Sequence, residues 1–180
     1  MLIATAETVP SLSRAMAGDE AAFESIVREH QGMVYSIGWH FLRDRALAEE
    51  MAQDVFLHLY RNLNSMESAR HLTHWLRKVA THRCIDQARR RKLASWPDVR
   101  PGQEPVAQES RRDPMLAGLL ARMVATLPPK PRMMVILRYQ EDMEPAEIAE
   151  LLEVPVGTVK SGLHRALALL RSKMRKETAT

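Results

Sequence analysis

Apolar residues recur at helical spacing along most of the chain, and no stretch alternates apolar and polar residues for long. In residues 19–42 they lie three or four positions apart, and Asp19 stands where an N-cap is needed. A second stripe follows Asp44, and a third runs over residues 71–92. The polar residues 62–70 predict a loop. The pattern therefore predicts three helices with short connections, packed as a small bundle.

Residues 95–113 interrupt this periodicity. They contain Pro97, Pro101, Gly102 and Pro105 with few apolar residues between them, which is typical of a linker. The predicted fold is therefore all-α, with two small helical domains joined by a flexible linker. Residues 1–94 form a three- to four-helix bundle, and residues 114–180 form a second domain.

The second domain contains the spacing of a helix-turn-helix. Residues 115–126 predict one helix, and prolines open the next, which spans residues 128–139. A short helix at 145–153, a turn at 154–157 that contains Gly157, and a last helix at 158–173 complete the motif. In such motifs the second helix enters the major groove of DNA.

The last predicted helix is amphipathic. Its apolar stripe consists of Val159, Leu163, Ala166, Leu167 and Leu170. The positions predicted to face DNA are Thr158, Lys160, Ser161, His164, Arg165, Ala168 and Arg171. Such polar and cationic groups can reach base edges and phosphates, and the free N–H groups near the start of the helix suit a phosphate. A helical hairpin with a solvated polar face has the same spacing, so the spacing alone leaves both interpretations open.

Charge and composition narrow the function class. The net charge is +4, and basic residues cluster at 83–92 and 160–176, which predicts two contacts with a polyanion. Cys84 is the only cysteine, so no internal disulfide is possible. The chain shows no signal-peptide pattern and no apolar run of about 20 residues. These observations predict a cytoplasmic protein without membrane insertion.

Neither a cofactor site nor an enzyme is predicted. His71, His74, His82 and Cys84 suggest a metal site, but their positions along one helix cannot converge on a single ion without another segment. The chain also lacks a nucleotide-binding glycine loop and a recognisable nucleophile signature.

Specific residues of the second domain carry a family resemblance. They are Leu127-Pro128-Pro129, Val135-Ile136-Leu137-Arg138-Tyr139, Glu147-Ile148-Ala149-Glu150-Leu151-Leu152, Pro155-Val156-Gly157-Thr158-Val159-Lys160-Ser161 and Leu163-His164-Arg165-Ala166. This set closely resembles the region 4 domain of extracytoplasmic-function (ECF) sigma factors, which implies recognition of the −35 promoter element. The family usually has arginine where Gly162 stands. The glycine is expected to remove a DNA contact and to cost about 1 kcal/mol relative to alanine.

The resemblance extends to the first domain, which looks like sigma region 2. Residues 48–57 are similar to the helix that binds polymerase, and Glu50, Gln53, Asp54 and the exposed Leu57 share one face of it. The resemblance implies that this face binds the clamp helices of the β′ subunit. For the whole chain it implies contacts with the β flap and with promoter DNA, and an anti-sigma factor as a further partner.

Residues 75–91 resemble the helix that reads and opens the −10 element. The residues implied to contact DNA are Trp75, Lys78, His82, Arg83, Asp86, Arg89 and Arg90. Trp75 could stack on a base or pack in the core, and the loop at 62–70 could accept an unstacked base. Leu76 replaces a second tryptophan of housekeeping relatives, and His82 replaces a frequent asparagine. We therefore expect weaker melting and a changed base preference.

The resemblance implies an alternative sigma factor that directs promoter-specific initiation with core RNA polymerase. Two other classes remain to be weighed. A stand-alone helix-turn-helix regulator would bind duplex DNA without polymerase, but the first domain has neither a ligand-pocket nor a receiver pattern. A purely structural helical adaptor would leave the two basic helices unexplained.

Overall fold

The computed structural model describes residues 8–93 and 114–177, which are helical and contain no strand. The predicted linker at 95–113 lies outside the described residues. By its contacts the chain divides into two compact units, Met1–Cys84 and Ile85–Thr180. The prediction of an all-α chain with two helical domains is thus confirmed.

Among the described residues, the N-terminal unit contains four helices and a 3-10 turn at Leu63–Ser65. They are α1 (Thr8–Met16), α2 (Glu20–Leu42), α3 (Arg45–Asn62) and α4 (Ala69–Leu93), of which α4 continues past the division between the units. Both predicted N-caps are confirmed. The Asp19 carboxylate accepts the Ala22 N–H at 3.0 Å, and Asp44 accepts the Leu47 N–H at 3.1 Å.

Helix α1 has no counterpart among the predicted helices. It is short and contains Pro10, and it buries Leu12 and Ala15. Gly18, at φ 92°, turns the chain from α1 into α2. The Arg14 guanidinium pairs with the Asp19 carboxylate at 2.6 Å. The hydrogen bond from the Ala22 N–H, and to a smaller extent the one from Arg14, lowers the pKa of Asp19, because both stabilise its charged form.

The core of this unit consists of apolar side chains from α2, α3 and α4. The most buried are Ile26, Val34, Ile37, Phe41, Val55, Leu59, Leu72, Leu76 and Ala80. One buried polar side chain bridges two of the helices: His30 Nδ1 lies 3.0 Å from the Ile26 carbonyl oxygen, and its Nε2 lies 3.1 Å from Thr73 Oγ1. Partnering of this kind removes the cost of burying an imidazole.

The segment at 62–70 is more ordered than the predicted loop. It holds the 3-10 turn, and Met66 and Ala69 are buried. Helix α4 begins at Ala69, and the Ser68 hydroxyl accepts the His71 N–H at 3.1 Å. The segment thus contains three buried apolar residues among its polar ones, Leu63, Met66 and Ala69.

The C-terminal unit contains the remaining helices, α5 (Pro114–Ala125), α6 (Pro129–Tyr139), α7 (Pro145–Leu152) and α8 (Val156–Glu177). Prolines occupy the first turn of α6, as predicted. The half-buried Arg132 guanidinium donates to the Leu127 carbonyl at 3.0 Å and to the Ala125 carbonyl, so a cation satisfies the C-terminal end of α5. The core lies between α6, α7 and α8, where Met133, Leu137, Ile148, Leu151 and Val159 are buried.

Candidate promoter and polymerase-binding surfaces

Helices α7 and α8 form the predicted helix-turn-helix, with one change at the turn. Glu147 accepts the Glu144 N–H at 2.7 Å and so fixes the start of α7. Glu153, at φ 55°, ends α7 in the left-handed conformation. The Pro155 carbonyl accepts the Thr158 N–H at 2.9 Å, so α8 begins at Val156. Placing Gly157 in the turn was therefore wrong, since it lies in the first turn of α8.

The outward face of α8 has the composition predicted for it. Val159, Leu163, Ala166 and Leu170 are buried, and Leu167 is half-buried. The predicted DNA-facing positions are all exposed, namely Thr158, Lys160, Ser161, His164, Arg165, Ala168 and Arg171. Leu169 is exposed as well, at 51%. Ser161 Oγ donates to the Thr158 carbonyl at 3.1 Å, and Arg165 Nε donates to the Ser161 carbonyl at 3.3 Å. These bonds align two polar side chains along the exposed face.

Gly162 faces the interior of the unit. It is buried, and a Cβ atom at this position would lie 2.6 Å from Met134 Sδ on α6. The expectation that Gly162 removes a DNA contact was therefore wrong, because a side chain at this position would point toward α6. The glycine instead allows α8 and α6 to pack closely.

The outer face of α3 exposes all four residues predicted to bind polymerase, Glu50, Gln53, Asp54 and Leu57. Leu57 is 55% exposed, and its neighbour one turn later, Tyr60, is 61% exposed. The Tyr60 ring meets Phe23 of α2 edge-to-face, with centroids 5.2 Å apart. Sequence reasoning missed Tyr60, although its i,i+3 spacing from Leu57 would have placed it on this face.

Helix α4 places the seven predicted −10 residues in two zones. Trp75, Lys78, His82 and Arg83 are half-buried, and Asp86, Arg89 and Arg90 are exposed. The Trp75 indole meets the His58 imidazole of α3 edge-to-face, with centroids 5.2 Å apart. Trp75 therefore packs between helices without being fully buried. Asp86 and Arg89 form an i,i+3 ion pair at 3.5 Å.

The structure also joins two residues that the sequence assigned to different surfaces. Arg83 Nη1 of α4 lies 2.7 Å from Asp54 Oδ2 of α3. A predicted DNA-contacting cation and a predicted polymerase-contacting anion therefore form an ion pair across two helices.

The candidate metal ligands are not brought together. Among residues 8–93 and 114–177, no group of three His, Cys, Asp or Glu side chains is arranged to hold an ion. Cys84 is buried, and burial raises the pKa of its thiol to about 12. The described helices include none with the length and apolar character needed to cross a membrane.

Comparison with known families identifies both units. The family described as Sigma-70 region 2 matches residues 26–94, and the family described as Sigma-70, region 4 matches residues 117–170. The ECF RNA polymerase sigma factor SigW of Bacillus subtilis is 30% identical over 171 residues, which cover 88% of this chain and 91% of SigW. The RNA polymerase sigma-E factor of Streptomyces coelicolor is 32% identical, with 87% and 88% covered.

Solved structures share the fold. CnrH, solved in complex with the cytosolic domain of CnrY, matches with a TM-score of 0.69 and 19% sequence identity. The match covers 92% of this chain and 96% of the CnrH chain. The sigma factor RpoE of Bartonella quintana, in complex with the anti-sigma factor NepR, has a TM-score of 0.70 and 18% identity, with 85% and 96% covered. A stand-alone regulator would not account for the region 2 match. The chain belongs to the ECF RNA polymerase sigma factors, alternative sigma factors that bind core polymerase and direct promoter-specific transcription initiation.

Proposed function

We propose that residues 114–180 recognise the −35 element through the outward face of α8. The pattern of burial along this helix supports the proposal, since every predicted contact residue is exposed, whereas Val159, Leu163, Ala166 and Leu170 are buried. Lys160, Arg165 and Arg171 supply cations for phosphates or guanine edges, and Ser161 and His164 supply further hydrogen-bonding groups. The free N–H groups near Thr158 add a phosphate site at the start of the helix.

We assign the −10 element to residues 1–94, the domain that the linker at 95–113 connects to residues 114–180. Within this domain, α4 recognises and opens the −10 element. Its contact residues are Trp75, Lys78, His82, Asp86, Arg89 and Arg90. The exposed arginines supply charge for phosphates, and Trp75 is half-buried, so part of its indole remains available to an unstacked base. Arg83 differs from these residues because its guanidinium already pairs with Asp54.

The outer face of α3 is the proposed docking surface for core polymerase. It combines two carboxylates, an amide and an exposed leucine within two helical turns, a mixture suited to a helical partner that carries cations beside an apolar groove. The partner we assign to it is the pair of clamp helices of β′. The β flap is assigned to the 114–180 domain.

Two further proposals concern regulation and location. The two structural neighbours were solved with CnrY and with the anti-sigma factor NepR, which supports an anti-sigma partner for this chain. The cytoplasm is the proposed location, because a sigma factor acts where polymerase and DNA are.

Run-off transcription with core polymerase and a promoter library tests the function as a whole. For docking, Asp54→Arg combined with Leu57→Ala should abolish core binding and leave the fold intact, because it reverses a charge and removes the apolar contact. Glu24→Arg on α2 is the matched control, since it makes the same charge reversal at an exposed ion-paired site. Normal co-purification of the Asp54/Leu57 variant with polymerase would contradict the docking surface.

A further inference from the structure

An ion pair between Asp54 and Arg83 links the outer face of α3 to the basic helix α4. The two residues are 29 positions apart in sequence, and Arg83 Nη1 lies 2.7 Å from Asp54 Oδ2. The Asp54 side chain is 52% exposed, and the Arg83 side chain is 38% exposed. The pair is thus accessible to a partner, and the Arg83 side chain is the less exposed of the two.

We propose that Arg83 is a positioning residue for polymerase docking and acts through Asp54, not through DNA. This inference rests on the proposed docking role of α3. A carboxylate has two oxygens and can accept several hydrogen bonds. Arg83 engages Oδ2, and Oδ1 remains available for a cation of the partner. A side chain already held in one orientation loses less conformational entropy when it binds.

The same geometry makes Arg83 a poor phosphate contact. The Asp54 carboxylate, at 2.7 Å, compensates the guanidinium charge, so the pair as a whole attracts a polyanion weakly. Arg90, two turns further along the same helix, is exposed and lies beyond this pair. Within the basic stretch of α4, Arg83 therefore serves α3, and the exposed Arg90 serves DNA.

The test measures core-polymerase affinity by competition with a labelled wild-type chain. Since exposed pairs of this kind contribute up to about 1 kcal/mol, Arg83→Ala should weaken core binding by about two- to five-fold. Arg83→Lys should recover most of the loss, because it restores a cation. In an Asp54→Asn background, Arg83→Ala should have little further effect. Arg28→Ala is the matched control, since it breaks an exposed 2.7 Å pair on α2 and should leave core affinity unchanged.

A second measurement separates positioning from DNA contact. With saturating core polymerase, the salt dependence of binding to a −10 template should keep its slope in Arg83→Ala. In Arg90→Ala the slope should fall by about 1, as expected for one lost phosphate contact. Thermal unfolding of Arg83→Ala should match that of Arg28→Ala, which would exclude a general loss of structure as the cause.

Several outcomes would overturn the inference: core affinity of Arg83→Ala equal to or above that of the wild type, an equal loss in the Asp54→Asn background, or a reduced salt slope. Failure of the docking surface is a different result. If Asp54→Asn and Leu57→Ala both leave core affinity unchanged, the proposed function of α3 fails. If they weaken it and Arg83→Ala does not, only the positioning role fails.

Discussion

Replacing Gly162 with alanine sets helix propensity against packing at the contact between α6 and α8. Alanine favours a helix interior over glycine by about 1 kcal/mol, because glycine loses more backbone entropy on folding. On the surface of α8 this substitution would stabilise the domain. At position 162, however, the added Cβ atom would lie 2.6 Å from Met134 Sδ.

The packing penalty exceeds the propensity gain. Carbon and sulfur atoms normally pack at about 3.5–4.0 Å, so the thioether must move by about 1 Å. Met134 is only 3% exposed, which denies it an easy path into solvent. Overpacking a filled core costs about 1–3 kcal/mol. Subtracting the propensity gain leaves an expected destabilisation of about 1 kcal/mol for Gly162→Ala.

A double-mutant cycle with Met134→Ala checks this reasoning, because the effect of Gly162→Ala on stability should change sign between the two backgrounds. Hydrogen exchange of α6 and α8 reports the local free energy of opening, and exchange of α2 serves as the internal control because it belongs to the other unit. Gly162→Ala should speed exchange in α6 and α8 of the wild type and slow it in a Met134→Ala background, where the methyl group fills part of the cavity. If the substitution protects α6 and α8 in both backgrounds, the close approach is refuted.

Four further outcomes are expected. Arg165→Ala should weaken transcription from a −35-dependent promoter series; unchanged output across the series would contradict the placement of α8 in the groove. Asp44→Ala should destabilise the N-terminal unit by about 1 kcal/mol in urea unfolding, and Asp44→Asn by much less, since asparagine can still accept the Leu47 N–H. At pH 8, Cys84 should react slowly with a thiol reagent in the folded protein and rapidly in urea, because burial raises the pKa of the thiol to about 12; equal rates would count against a buried thiol. Burial, and to a smaller extent the charge of Arg43, lowers the pKa of His40 in the folded protein. The unfolded chain therefore binds more protons, and the free energy of unfolding should fall as the pH drops below about 6.5. His40→Gln should flatten this dependence, and an unaltered pH profile would exclude His40 as its cause.

Much of the fold could be predicted because its signals are local. The apolar spacing of α2, α3 and α8 reports the face that each helix must bury, and Asp19 and Asp44 cap helices through bonds to N–H groups three residues away. The exposed face of α8 follows from its buried stripe by subtraction, which is why all its predicted contact residues are exposed. Particular residues in both halves were also sufficient to indicate the sigma family.

Other features depend on which helices meet, and periodicity carries no such information. Helix α1 is short and contains Pro10, so its stability comes from packing against α2. The sequence predicts that Gly162 removes a DNA contact, whereas the packing of α8 on α6 directs this position toward Met134. The Asp54–Arg83 pair joins residues far apart in sequence, and it changes the role of an arginine that charge clustering had grouped with its neighbours. Helical propensity and capping act over three or four residues and can therefore be predicted from the sequence. The tertiary contacts of each side chain depend on how the helices cross, and folding alone brings those helices together.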